Sequence, residues 1–131
     1  MTVVLDSWAV MRLLEGSEPT ATKVQSAIDE GAAVMNWVNL GEVYYVLTRV
    51  IGADVALTTI RDLENALTTV TPDSALILEA ARIKADHAMS YADAFAAATA
   101  IRFDAPLWTG DPELFVSGAQ WQSIDPSRTR S

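Results

Sequence analysis

Short, apolar, β-branched runs alternate along this chain with longer segments whose apolar residues recur at helical spacing. Thr2–Leu5 predicts a short buried strand. Ser7 is a candidate N-cap for a helix over Trp8–Leu14, and Gly16 stops it. Ala21–Glu30, ended by Gly31, reads as the next helix, and Ala32–Met35 as a second strand. Asn36 or Asn39 caps a helix that runs to about Ile51, before Gly52. Asp54–Leu67 predicts a further helix and Thr68–Val70 a brief strand, closed by Pro72. Ser74–His87 is amphipathic, with Leu76, Ala80, Ile83 and His87 on one stripe. Ser90 caps a helix over Tyr91–Phe103. Pro106–Trp108 is a strand broken by Gly110-Asp111-Pro112, with a short helical turn through Phe115. Gln120–Ile124 is a last strand, placed at an edge.

Strands separated by one or two helices imply right-handed parallel crossovers. The expected fold is therefore a three-layer α/β/α domain with a short, mostly parallel central sheet. The 131 residues, without repeat or linker, suit one domain over 1–131, with the end from about residue 126 expected to be a flexible tail.

This layout gives four acids a shared address. In open parallel sheets, sites form beyond the carboxyl ends of the strands. Asp6 directly follows the first strand, and Asp111 follows the Pro106–Trp108 strand. Glu42 and Asp93 lie in the first turns of helices that should start at the same edge. Each acid also has a purely local explanation. Asp6 can cap the first helix, Asp111 can shape a G-D-P turn, and Asp93, three residues after Ser90, fits a capping box with a shortened acid. Glu42 stands in the same relation to Asn39, as a weaker match. Capping accounts for each acid singly but does not require four of them at one sheet edge.

Carboxylates held together raise one another's pKa and resist joint ionisation, a conflict that a hard cation removes. The chain has no cysteine and a single histidine, so oxygen ligands point to Mg²⁺, with Mn²⁺ as a substitute. Either ion can activate water and stabilise charge on a phosphate, and two ions about 4 Å apart would hold attacking and leaving oxygens alike. His87, on an apolar stripe and without a second histidine, is expected to have a structural or surface role, which argues against a metal-independent acid–base pair. Ser7 and, more weakly, Thr109 are candidates to orient metal-bound water. Arg12, one turn beyond Asp6, is a weak candidate for contact with substrate or a protein partner, with an ion pair to Glu15 as the ordinary alternative.

The net charge of −8 argues against a broad nucleic-acid-binding surface, which would be basic. Acids clustered around metal soften that objection, and nine Lys and Arg remain for local phosphate contacts. The first charged residue is Asp6, so no basic-then-apolar leader opens the sequence. The alanine-rich run Ala94–Ala100 is far shorter than the about 20 residues a membrane span needs. A cytoplasmic protein without membrane contact is expected.

The segments V-V-L-D-S, N-L-G-E-V-Y, S-Y-A-D-A-F-A-A-A-T-A and T-G-D-P-E-L occur in an order that resembles the PIN-domain family, and within it the VapC-type toxins of toxin–antitoxin modules. The resemblance covers nearly the whole chain, and its last two segments are the most specific. It implies a Mg²⁺- or Mn²⁺-dependent endoribonuclease whose acidic site comprises Asp6, Glu42, Asp93 and Asp111. It also implies a homodimer and a cognate antitoxin whose tail blocks the site.

The leading functional expectation is hydrolysis of RNA by metal-activated water, giving a 5′-phosphate and a 3′-hydroxyl. Asp6, Asp93 and Asp111 would hold metal, and Glu42 would hold metal or take the proton of the water. An aspartyl-phosphate phosphotransfer enzyme built on Asp6 is disfavoured, because the acid that such chemistry needs two residues on is Trp8. A non-catalytic interaction module is the remaining alternative. It would use the apolar belt of Val43, Tyr44, Tyr45, Val46 and Leu47, although a central helix buried on most sides would account for the same pattern.

Overall fold

The computed structural model describes residues 1–128. Five strands, β1 (Val3–Leu5), β2 (Ala33–Asn36), β3 (Thr68–Val70), β4 (Leu107–Trp108) and β5 (Ser123–Ile124), form one sheet in the order β3-β2-β1-β4-β5. Every pairing is parallel. Six helices cover it: α1 (Ser7–Glu15), α2 (Thr20–Asp29), α3 (Trp37–Ile51), α4 (Ala53–Ala66), α5 (Ser74–Asp86) and α6 (Tyr91–Phe103). A 3₁₀ turn spans Pro112–Leu114. The expected α/β/α architecture is what the chain adopts.

The period of two along the strands sorts side chains into two cores. Val3, Leu5, Ala33 and Met35 face one layer with Val10, Val24, Leu40, Val43, Leu47, Ile60 and Leu63. Val4, Val34 and Leu107 face the other with Leu76, Ala80, Ile83 and the alanines of α6. Because both faces of the sheet are covered, β1 and β2 read as continuous apolar runs rather than as alternating ones. Helix α6 is buried from Asp93 through Ala100, and its small side chains let it lie close against the strands. Thr99 there accepts a hydrogen bond from the buried Asn36 side chain at 3.1 Å, tying the end of β2 to α6.

Local details depart from expectation in instructive ways. Asp6, not Ser7, caps α1: its carboxylate accepts from the Ala9 N–H at 3.0 Å, and Ser7 is the first helical residue. Asn36 caps α3 by accepting from the Val38 N–H at 2.8 Å, whereas Asn39 is buried one turn later. Helix α5 ends at Asp86, so His87 lies beyond its stripe, edge-on to Trp121 with ring centroids 5.4 Å apart. Gly16 ends α1 in the left-handed conformation (φ +69°), which a residue without Cβ adopts at no steric cost. Tyr45, Val50 and Ile51 remain exposed on α3, so that helix is not buried on most sides.

The tail expected from about residue 126 falls partly on residues 129–131, outside the described residues. Up to Arg128 the chain is tied down, because the Lys23 ammonium donates to the Pro126 carbonyl at 2.9 Å and to the Arg128 carbonyl at 3.3 Å. No helix among the described residues is long and apolar enough to cross a membrane.

Candidate metal centre

The carboxyl ends of β1 and β4 set the site. Asp6 follows β1 and is 1 % exposed. Beside it, after β4, Thr109 is fully buried. The Thr109 hydroxyl is hydrogen-bonded to the Asp6 carboxylate and accepts from the Asp111 N–H at 2.9 Å. One threonine therefore fixes both the first acid and the loop that carries the fourth.

The chain next makes a tight turn. Asp111 accepts from the Glu113 N–H at 3.0 Å, with Pro112 at the first position of the 3₁₀ turn, where its missing N–H costs nothing. Glu113 is thereby brought back toward Asp111. On the facing side, Ser90 caps α6 by accepting from the Asp93 N–H at 3.1 Å, which fixes Asp93 in the first turn. Carboxylate oxygens of Asp93, Asp111 and Glu113 all lie within 4.8 Å of one another. Glu113 was not among the acids expected to act. The proline directly after a capping aspartate was its available signal, since it predicts a turn tight enough to bring the two acids together.

Asp6 and Glu42 lie outside that three-carboxylate group but adjoin it. Burial pushes the Asp6 carboxyl up to about 7, against the lowering effect of its bonds to Thr109 and Ala9, and the charges of Asp111 and Glu42 add to the rise. Asp93, 6 % exposed, is raised to about 8. Burial is the largest cause, followed by a hydrogen bond shared with Asp111, the charges of Asp111 and Asp6, and a hydrogen bond shared with Glu113. Glu42 is half-buried on α3 and accepts a hydrogen bond from the Ser7 hydroxyl. Ser7, Glu42 and Asp6 thus adjoin the group formed by Asp93, Asp111 and Glu113.

Two buried oxygens have no hydrogen-bonding partner among the described residues: Asp93 Oδ2 and Asn39 Oδ1. Asn39 donates from its amide to the Ala92 carbonyl at 3.0 Å, next to Asp93 in sequence. Buried acceptors normally find donors, because leaving one unpaired costs roughly 1–3 kcal/mol. Orphaned oxygen acceptors among carboxylates with raised pKa values are the environment a hard divalent cation fits. The donor set is all oxygen, which suits Mg²⁺ or Mn²⁺ and not a thiolate-seeking metal.

The remaining candidate is peripheral. Arg12 pairs with Glu15 and sits 5.2 Å over the Trp8 ring. Trp8 in turn lies on Gly110: a Cβ there would stand 2.2 Å from the indole. The Arg12–Trp8–Gly110 stack therefore props the loop bearing Asp111 without joining the acids.

A family model described as PIN domain matches residues 3–117. No curated protein matches the sequence. Among solved structures, the fold is similar to the sarcin–ricin-loop-cleaving toxin VapC20 of Mycobacterium tuberculosis, with TM-score 0.71, 14 % identity, and 89 % of this chain and 95 % of that one covered. It is similar to DNA-bound VapBC from Salmonella typhimurium, with TM-score 0.76, 14 % identity, and 95 % and 98 % covered. VapBC-1 from nontypeable Haemophilus influenzae gives TM-score 0.74 and 18 % identity over 98 % of this chain and 100 % of that one.

Proposed function

The chain belongs to the PIN-domain family, and on that premise we propose that it is a divalent-metal-dependent endoribonuclease acting as the toxin of a toxin–antitoxin module. The observation that carries this reading is Asp93. It is a buried carboxylate with an orphaned oxygen, set within 4.8 Å of Asp111 and Glu113 at the carboxyl edge of a parallel sheet. Local capping does not account for that arrangement, because Ser90 already caps α6.

In this proposal Asp93, Asp111 and Glu113 would hold the cation, and Asp6 would complete the ligand set. A bound Mg²⁺ or Mn²⁺ supplies Lewis acidity, lowering the pKa of a water and stabilising charge on the phosphate. The chain's own groups do the rest. Asp6 and Asp93 must lose their protons before they can act as ligands, which sets a pH requirement on the site. Glu42, held by the Ser7 hydroxyl, is placed to take a proton from the attacking water or to serve as a further ligand. Thr109 keeps Asp6 in register with the Asp111 loop. Hydrolysis then leaves a 5′-phosphate and a 3′-hydroxyl.

The rest of the reading concerns context. An antitoxin partner is supported by the VapBC complexes that share the fold. Tyr45, Val50, Ile51, Val55 and Leu57 on α3 and α4 are exposed apolar side chains that such a partner, or a second copy in a homodimer, would cover. The compartment proposed is the cytoplasm, where RNA would be met. An aspartyl-phosphate role for Asp6 is disfavoured by its burial and by its commitment to the α1 cap.

The test is RNA cleavage by the purified chain with Mg²⁺, with chelator, and with Asp6→Asn or Asp93→Asn. Cleavage that needs metal and fails in both variants is expected. Undiminished cleavage in chelator, or in both variants, overturns the proposal. Sequencing RNA 5′ ends after brief expression of the wild type and Asp6→Asn would identify the substrate.

A further inference from the structure

The T-G-D-P-E-L-F segment has two sides. Asp111 and Glu113 turn toward Asp93, whereas Gly110, Pro112 and Phe115 line a separate open cleft of about 470 Å³ together with Asp125 and Arg128. The cleft and the acidic cluster thus share one short turn. Its lining is unusual for this acidic chain. Phe115 presents an aromatic ring at 47 % exposure without using it in the core. The Arg128 side chain is 85 % exposed and only loosely paired, at 3.6 Å, to Asp125. Asp125 Oδ1 is already engaged by the Ser127 N–H and hydroxyl at 2.9 and 2.6 Å, which leaves Oδ2 facing Arg128.

We infer that this cleft seats one unpaired nucleotide of the RNA next to the phosphate being cut, with its base stacked on Phe115. The inference rests on the ribonuclease reading above and names where the substrate strand lies. Single-stranded nucleic acid is held by aromatic rings that stack bases and by cations that contact the backbone. The cleft supplies one of each, Phe115 and Arg128. Its position fits as well, because Asp111 lies between two cleft-lining residues, Gly110 and Pro112, so the strand leaves the acidic cluster directly into the cleft. The carboxylate of Asp125 repels phosphate, so the base rather than the phosphate points toward it, and the phosphate points toward Arg128. A carboxylate accepts hydrogen bonds from exocyclic amino groups, which favours an amino-bearing base over uracil at this position.

The test uses a short fluorescein-labelled single-stranded RNA of mixed sequence, with binding read by anisotropy and cleavage read on gels with Mg²⁺. Phe115→Ala is expected to bind RNA roughly tenfold more weakly and to raise KM more than it lowers kcat, Phe115→Leu to behave like it, and Phe115→Tyr to retain wild-type affinity. Mn²⁺ titration unchanged in Phe115→Ala shows that the acidic cluster and the fold are intact. Asp125→Asn is expected to weaken the discrimination against uracil next to the cut. If Phe115→Ala binds and cuts as the wild type does, the cleft assignment falls while the ribonuclease reading stands. If the wild type binds RNA through Phe115 but never cuts it, the ribonuclease reading falls and the cleft stands. If the wild type does not bind RNA, both fall.

Discussion

Asp6 and Asp73 perform the same local task in different surroundings. Each caps a helix from an extended residue, and each accepts from the backbone N–H three positions on, at 3.0 Å for Asp6 to Ala9 and 2.8 Å for Asp73 to Leu76. At the start of α5, Asp73 is exposed and meets Arg102 in a bidentate pair at 3.0 and 3.1 Å. The hydrogen bonds from Arg102 hold its carboxyl below the usual range, helped by the Leu76 N–H. At the start of α1, Asp6 is buried, has no cationic partner among the described residues, and faces the charges of Asp111 and Glu42. Its carboxyl is pushed up to about 7. A helix cap is therefore not evidence of function in itself. What separates the two aspartates is the sign of the charges the tertiary structure brings to them.

The largest expected effect comes from making the same change at both caps. Asparagine caps as well as aspartate, so neither helix start is lost. Asp6→Asn is expected to lower the RNA cleavage rate by about 100-fold or more, the scale seen when a charge-stabilising group is removed from an active site. Asp73→Asn is expected to leave cleavage unchanged. Equal losses in the two variants, measured under matched Mg²⁺, would erase the distinction.

The pH dependence should differ in sign. Asp6 and Asp93 bind protons more tightly in the metal-free native chain than in the unfolded one, because their values rise from 3.8 to about 7 and about 8. The native state then holds more protons than the unfolded state within that window, so stability falls as pH rises through it and levels off above about 8. Asp73 works the other way: its lowered value contributes stability that is lost only as pH falls through its folded pKa. Thermal melts in chelator should show a melting temperature that declines from about pH 4 to about pH 8, and a shallower decline in Asp93→Asn. Mn²⁺ should bind more tightly, and raise the melting temperature more, toward the upper end of that range, because it competes with the same protons.

A smaller effect sharpens the contrast from the backbone side. The Asp111 loop is held by contact between Gly110 and Trp8, so Gly110→Ala forces the indole to move. Overpacking of this kind costs about 1–3 kcal/mol. Denaturant unfolding should record that loss, and cleavage should fall with it.

The smallest effect is expected from Asp73→Ala, which removes a cap and a solvent-screened ion pair. It should lower the melting temperature by a few degrees, with wild-type Mn²⁺ binding. A change in metal binding would mean that the α5 cap is coupled to the site after all.

Much of the fold was written locally. Glycines at 16, 31 and 52, the capping residues Asn36 and Ser90, and Pro72 and Pro112 mark element ends because each acts through the backbone within a few residues. The D-S pair at positions 6 and 7 shows the limit of such marks, since both residues cap well and only the folded backbone chose Asp6. Four acids at element ends were equally legible, because a parallel sheet places its site at the carboxyl ends of its strands. The sequence by itself thus determined which elements form, in what order, and that acids crowd one edge. Tertiary structure alone decided which acids meet. It drew Glu113 in through the 3₁₀ turn after Pro112 and left Asp6 and Glu42 outside that three-carboxylate group. It also buried Asp93 with one oxygen unpaired. The physical reason is range: capping and turn formation depend on neighbours in sequence, whereas desolvation and charge–charge repulsion depend on neighbours in space, which exist only once α6 is packed against the sheet.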